Sequence, residues 1–159
     1  MAAHRLPIAV VIGACLSTAS ALAWEARPGS DGGFEARQAA AAAVKVTGGA
    51  DAKPSLAVSC QGRSLMVTVG WPDVIPLNEN QHFVGVSWSL DGKSGHAAMI
   101  ASSGSVSLGG SEAKEWLREM AGAKRLDVHV PDAHGGQTAS FDLAGVAAVQ
   151  AGIGKSSCA

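Results

Sequence analysis

Beyond the first 23 residues the chain carries four histidines, and two of them follow an aspartate at one residue's distance: Asp127-Val128-His129 and Asp132-Ala133-His134. A carboxylate beside an imidazole is the raw material for a metal-ligand pair or for a dyad that activates a nucleophile. The spacing argues against both. On a strand, residues two apart share one face, and the apolar alternation of Leu126, Val128 and Val130 makes that face the solvent side, so these pairs are expected as exposed polar residues. His82 and His96 have no such neighbour. Neither HExxH nor a Cys/His cluster with metal-ligand spacing is present. Serines are numerous enough to compose a Ser-His-Asp set on paper, but there is no GxSxG elbow to hold a nucleophile. Ser102-Ser103-Gly104-Ser105 reads as a turn.

The remaining candidates fare no better. Glu112, Glu115 and Glu119 fall at i, i+3 and i+7 of one helix face, where Lys114, Arg118 and the helix N-terminus account for them as a solvated surface. The glycine-rich stretches 29–33, 48–49 and 109–110 lack the strand-glycine-helix context of a phosphate loop. Trp71, Trp88 and Trp116 lie on apolar faces and are expected in the core first and as binding platforms second. With no tyrosine in the chain, an aromatic platform for carbohydrate or single-stranded nucleic acid is poorly supported. The expectation is a non-enzymatic protein with no catalytic, cofactor or metal residue. Twelve Lys+Arg against thirteen Asp+Glu, both scattered, also argue against nucleic acid and anionic lipid as partners.

Export is written into the start of the chain. Residues 1–23 have one basic residue, Arg5, then an apolar and small-residue run from Leu6 to Ser20, then Ala21-Leu22-Ala23 before Trp24. This is the pattern of a secretory signal peptide cleaved between Ala23 and Trp24, giving a periplasmic or secreted chain of 136 residues. Ile12-Gly13-Ala14-Cys15 is an alternative lipobox that would acylate Cys15; against it, the apolar run continues past Cys15 to a clean Ala-x-Ala site. No later stretch approaches the roughly 20 apolar residues of a membrane-spanning helix. Cleavage discards Cys15 and leaves Cys60 and Cys158, an even pair that in an exported chain reads as one disulfide. Closing a loop of about 99 residues is worth up to about 4.7 kcal/mol in the chain-entropy account. Two free buried thiols are the alternative.

The elements that must position these residues are mostly strands. Leu56, Val58 and Cys60 share one face, and Gln61-Gly62-Arg63 is a tight turn. Leu65, Val67, Val69 and Trp71 alternate with Met66, Thr68 and Gly70 before Pro72 and Pro76 open a loop to about Gln81. His82–Leu90 repeats the pattern through Val84, Val86, Trp88 and Leu90, and Asp91-Gly92-Lys93 turns the chain. Two weaker runs surround Ser103-Gly104. A helix then begins at Gly110-Ser111, with Ser111 as the cap, and buries Ala113, Trp116, Leu117, Met120 and Ala121 before Gly122 stops it. Strands at Leu126–Val130 and Thr138–Leu143 flank a turn at Pro131–Gly136, and a short apolar helix from Gly145 to about Ile153 carries Cys158 towards Cys60. Arg27–Gly33 is expected to be a loop. Ala39–Ala43 favours helix by propensity, whereas Val44-Lys45-Val46-Thr47 alternates as a strand. The sum is an antiparallel β-rich α+β domain, a sandwich or partly open barrel with one packed helix and a short C-terminal helix. Its parts are a signal peptide (1–23), an N-terminal segment (24–53) and the β-rich body (54–159).

Several ordered segments, PSLAVSC (Pro54–Cys60), SLMVTVGW (Ser64–Trp71), VGVSWSLD (Val84–Asp91), EWLREMAGAKRLDVHVP (Glu115–Pro131), FDLAGVAAV (Phe141–Val149) and the closing Cys158, resemble the type VI secretion-associated periplasmic proteins of the VasI/TagO family. The resemblance covers about 105 residues. It implies a small periplasmic domain with Cys60 bonded to Cys158, a strand rather than a helix at about Arg37–Val46, and a role without catalysis. Gly95-His96-Ala97-Ala98-Met99 departs from it, standing where larger polar and aromatic side chains are expected. The resulting expectation is a non-catalytic envelope accessory protein with a protein partner, associated with type VI secretion. The alternative is a secreted inhibitor of a hydrolase such as lysozyme or a protease, motivated by the stapled scaffold and the Ser/Gly-rich stretch Ala101–Gly110. An envelope enzyme would rest on His82, His96, His129 and His134 alone.

Overall fold

A computed structural model describes residues 24–29, 32–73, 75 and 82–159. The expected signal peptide, with Cys15 and Ala23, lies outside the described residues, as do Ser30, Asp31, Val74 and residues 76–81 of the expected loops. Within the described residues the chain forms β1 (Glu25–Pro28), β2 (Phe34–Ala39), β3 (Val44–Lys45), β4 (Asp51–Ala52), β5 (Ser55–Gln61), β6 (Ser64–Gly70), β7 (Phe83–Leu90), β8 (Lys93–Ser102), β9 (Ser105–Gly109), α1 (Gly110–Ala121), β10 (Arg125–Val130), β11 (Gln137–Asp142) and α2 (Val146–Ile153).

Nine strands make one antiparallel ladder in the order β1-β2-β5-β6-β9-β8-β7-β10-β11, and β3 pairs separately with β4. Hairpins supply most neighbours. The turns Gly62-Arg63 and Asp91-Gly92 both hold two consecutive residues at positive φ, the geometry that matches strand twist in a two-residue hairpin. Two connections break the hairpin rule. The chain passes from β6 to β7 and leaves room for β9 and β8 between them; α1 then carries it from β9 to β10 on the far side of β7.

Period-2 alternation decides which face is buried. Leu56, Val58 and Cys60 of β5, Leu65, Val67 and Val69 of β6 with Trp71 beyond it, Val84 and Val86 of β7, Val106 and Leu108 of β9, and Leu126, Val128 and Val130 of β10 all enter one core. Ala113, Trp116, Leu117 and Met120 of α1 and Val146, Val149 and Ile153 of α2 cover it. Each such aliphatic side chain contributes about 1.5–3 kcal/mol. The antiparallel β-rich architecture with one packed helix and a short terminal helix is therefore present, and it is built on a single open sheet. Its far edge, β11, curls back to the chain after β2: Ala41 N–H donates to the Ser140 carbonyl at 2.8 Å, and Gln137 exchanges side-chain bonds with Lys45 N–H and its carbonyl at 2.9 and 2.7 Å.

Four local expectations need correction. Arg27 and Pro28 belong to β1, which pairs with β2. The stretch Arg37–Val46 is neither helix nor one strand: β2 ends at Ala39, and Ala40–Ala43 turns from β5, where Ala40 N–H bonds the Pro54 carbonyl, to β11, where Ala41 bonds Ser140. Alanines suit this bend because they fit between two strands without a pattern of their own to enforce. The cap of α1 is Gly109, with no side-chain bond, so Ser111 is not the cap. The Ser/Gly-rich stretch Ala101–Gly110 is the end of β8, a turn at Ser103-Gly104 and β9, held to the body by Trp71 N–H on the Gly104 carbonyl at 2.8 Å. It offers no long projecting loop.

Candidate functional site

The two cysteines meet. Cys60, at the end of β5, and Cys158, beyond α2, form a disulfide with Cα atoms 5.8 Å apart. Trp24, the residue expected after signal cleavage, is half-buried against the core.

The aspartate–histidine pairs part company. Asp127 and His129 lie on the outer face of β10, as the alternation requires. Strand register places His96, Ser87, His129 and Thr138 directly across β8, β7, β10 and β11, with Ser94, Ser89, Asp127 and Ser140 in the neighbouring row. All of these but Ser140 line a shallow dish, so the fold does gather two histidines, serines and a carboxylate. Their bonds are not those of a triad. Asp127 accepts from Arg125 Nε at 2.9 and 3.0 Å and from the Ser140 hydroxyl, Arg125 also donates to Ser140, and His129 Nδ1 meets Thr138 Oγ1 at 3.3 Å. Among the described residues, no hydrogen bond joins Ser87 or Ser89 to an imidazole.

Of Asp132 and His134, only the histidine is exposed as expected. Asp132 is buried, and its carboxylate accepts four bonds: His134 N–H at 2.8 Å and Gly136 N–H at 3.1 Å on Oδ1, Trp71 Nε1–H at 3.1 Å and Gln137 Nε2–H at 2.8 Å on Oδ2. Burial pushes this carboxyl up, but the bonds from Trp71, Gln137 and the two backbone groups outweigh it and hold the group below its ordinary value. His134 Nε2 lies 2.8 Å from Asp73, which also accepts from Thr47 N–H and its hydroxyl. Both aspartates are loop anchors. His82 is exposed, and no group of three or more His, Cys, Asp or Glu side chains able to hold a metal occurs among the described residues.

The sequence gives little warning of the second concavity. α1 lies over β6 and β9 and beside α2, which leaves the inner face of β7 and β8 partly uncovered. Between the helix and that face runs a groove of about 230 Å³, lined by Trp88, Ala97, Leu108, Glu112, Glu115, Trp116 and Glu119. The two indoles stand 5.4 Å apart, tilted by 54°. Trp88 lies on Gly95: a Cβ there would come within 2.7 Å of the indole, so only glycine leaves the ring its place. The small residues Gly95 and Ala97, the departure noted above, thus shape the groove. Glu115 pairs with the exposed Arg118 at 3.4 Å, whereas Glu112 and Glu119 have no ion-pair partner among the described residues. Trp116 is 2 % exposed, and its buried indole Nε1–H has no acceptor among the described residues. All three glutamates are exposed, as a solvated helix face requires, and Glu112 lies in the first turn of α1. Trp71 is a core residue; Trp88 and Trp116 serve both the core and the groove.

Phe83 and Ile100, opposite each other on β7 and β8, are exposed on the outer face. No described helix is long and apolar enough to cross a membrane. No protein-family model, curated protein or solved structure compared with the chain matches it.

Proposed function

We propose that this chain is an exported, non-catalytic binding protein of the cell envelope that recognises a protein partner, in the type VI secretion setting that the resemblance implies. The observation that supports recognition is the groove beside α1, where the half-buried Trp88 and the exposed Glu112 and Glu119 line a cleft over the buried Trp116 on a disulfide-stapled scaffold. Commitment of Asp127 to Arg125 and Ser140, rather than to an imidazole, supports the non-catalytic part.

A photoreactive side chain placed at Ala97 in the groove, and separately at Thr138 on the outer face, tests this in the native envelope. One adduct from position 97 and none from 138 is the expected result. No adduct, or the same adducts from both positions, overturns it. Unchanged type VI-dependent killing after deletion of the gene would remove the secretion assignment alone. Inhibition of a hydrolase is the second reading; it retains the stapled scaffold but not the projecting loop that motivated it, and loss of lysozyme or protease activity on mixing would favour it.

A further inference from the structure

β8 is covered by β9 at one end only. It pairs with β7 from Lys93 to Ile100, whereas β9 takes Ile100, Ala101 and Ser102 alone. Beyond that point the two strands part, because β9 continues beside β6 through Leu108 and Gly109 and then becomes α1. Lys93–Met99 is therefore a free edge inside the sheet. Ala101 N–H donates to the His82 carbonyl, and bonded pairs recur at every second residue of an antiparallel ladder, so Met99, Ala97, Gly95 and Lys93 direct their main-chain groups to β7. Ser94, His96 and Ala98 turn their N–H and C=O groups the other way, where no strand pairs with them among the described residues.

Sheets guard such margins with short strands, charge or proline. β1, at the rim of the ladder, is four residues long and holds Glu25, Arg27 and Pro28. Past Lys93, β8 has no such guard: Ser94-Gly95-His96-Ala97-Ala98 is uncharged apart from the histidine, and Ser94, His96 and Ala98 are exposed. There is also space beside it. A cavity of about 650 Å³ follows Lys93 to His96, with Glu119, Gly122 and Ala123 among its lining, and it shares Trp88 and Glu119 with the groove that continues past Ala97 to Leu108. What satisfies alternate N–H and C=O groups along an edge is another main chain in extended conformation. The wedge between β8 and β9 is bounded on its far side by Leu108 and α1, which leaves room for one added strand. A second copy presenting its own β8 would bring β7 with it.

We propose that β8 is completed by an extended segment of the partner protein, which adds a strand along Ser94–Ala98 and fills the gap that β9 leaves. Main-chain bonds to Ser94, His96 and Ala98 hold the segment. Its side chains on the α1 side are aliphatic and lie against the half-buried Trp88 and Ala97. This rests on the binding reading above and specifies the mode of recognition.

Amide hydrogen exchange of the exported, oxidised protein, followed residue by residue by NMR, tests it. In the free protein Gly95, Ala97 and Met99 are expected to exchange slowly, and Ser94, His96 and Ala98 fast. The probe is an acetylated, amidated octapeptide of alternating threonine and valine with a lysine at each end. At about ten times its dissociation constant it is expected to slow exchange at Ser94, His96 and Ala98 about tenfold. The same peptide with two consecutive central amides N-methylated, which blocks both edges of a strand, is expected to leave them unchanged. Ala98→Pro removes one edge donor and no bond to β7, and is expected to weaken the peptide about fivefold; if that variant loses its β-rich circular dichroism spectrum, the exchange pattern decides alone. Absence of saturable slowing at the three amides, equal slowing by the methylated peptide, or equal binding by a folded Ala98→Pro overturns the proposal. Slow exchange at all three in the free protein, together with a dimer in sedimentation, makes a second copy the occupant and overturns the partner strand. If the peptides fail while crosslinking from Ala97 still captures one envelope protein, the mode of recognition is wrong and the binding function stands.

Discussion

The loop at Pro131–Gly136 hangs on one carboxylate, and Asp132→Asn removes its charge while keeping its shape. The amide oxygen can occupy the Oδ1 position and keep His134 N–H and Gly136 N–H. The amide nitrogen must then stand at Oδ2, facing the donors Trp71 Nε1–H and Gln137 Nε2–H. Flipping the amide only exchanges which pair is stranded. Gln137 retains the Lys45 carbonyl, but Trp71 is 1 % exposed and has no other acceptor. Losing two charge-assisted bonds at about 1.5 kcal/mol each gives a destabilisation of about 3 kcal/mol. Urea unfolding with the disulfide intact, followed by tryptophan fluorescence and far-UV circular dichroism, reads this as a midpoint lowered by about 1.5 M for an m-value of about 2 kcal/mol/M. The pH dependence has a definite sign. Because the folded-state pKa of Asp132 is depressed, its stabilisation is complete above the unfolded value of about 3.9 and is lost as pH falls through the lower folded value. The gap between wild type and variant is therefore constant from pH 8 to pH 5 and narrows below about pH 4. A midpoint change under about 0.3 M, or a gap that widens on acidification, would refute the assignment of this carboxylate as the loop's anchor.

Replacing Cys60 and Cys158 together by alanine is expected to lower stability by up to about 4.7 kcal/mol, read as a lower urea midpoint with the β-rich circular dichroism spectrum retained in buffer. Gly95→Ala drives a methyl group into the Trp88 indole, so near-ultraviolet circular dichroism from the indole pair is expected to change, with stability reduced by about 1–3 kcal/mol as for an overpacked site. Ser87→Ala and His129→Ala on the outer face are expected to change stability by no more than about 0.5 kcal/mol. They should also leave the rate of p-nitrophenyl acetate hydrolysis equal to that of wild type; a rate that drops with either change would revive the catalytic reading of the dish.

The strands from Ser55 to Leu90 were legible because their side chains alternate without interruption and their hairpins are closed by turn residues that act locally, Gly62-Arg63 and Asp91-Gly92. Where side chains are uniform or their partners are remote, sequence spacing carries less. Ala40–Ala43 has no pattern, and the bonds that bend it come from Pro54 and Ser140. Asp132 looks like a surface residue beside His134 until Trp71, 61 positions away, donates to it. The same distance hides the groove. Glu112, Glu115 and Glu119 read correctly as one helix face, but only the crossing of α1 past β8 sets that face against Trp88, which the alternation of β7 assigned to the core first. His96 and His129 were likewise separate in sequence and are joined across β7 by register alone.

The Cys60–Cys158 bond also sets how the molecule would carry load. A pull on the C-terminus does not peel away α2 and then β11; it passes through the sulfur atoms into β5, inside the nine-stranded ladder and flanked by β2 and β6. Everything from β6 to α2 is shielded within the covalent loop. A pull on the N-terminus meets Trp24 against the core and then β1 at the sheet edge, with four paired residues. The oxidised protein therefore has a yielding end and an inextensible end, and a partner gripping the groove from within the loop would strain against the rigid part while the leading strand remained free to let go.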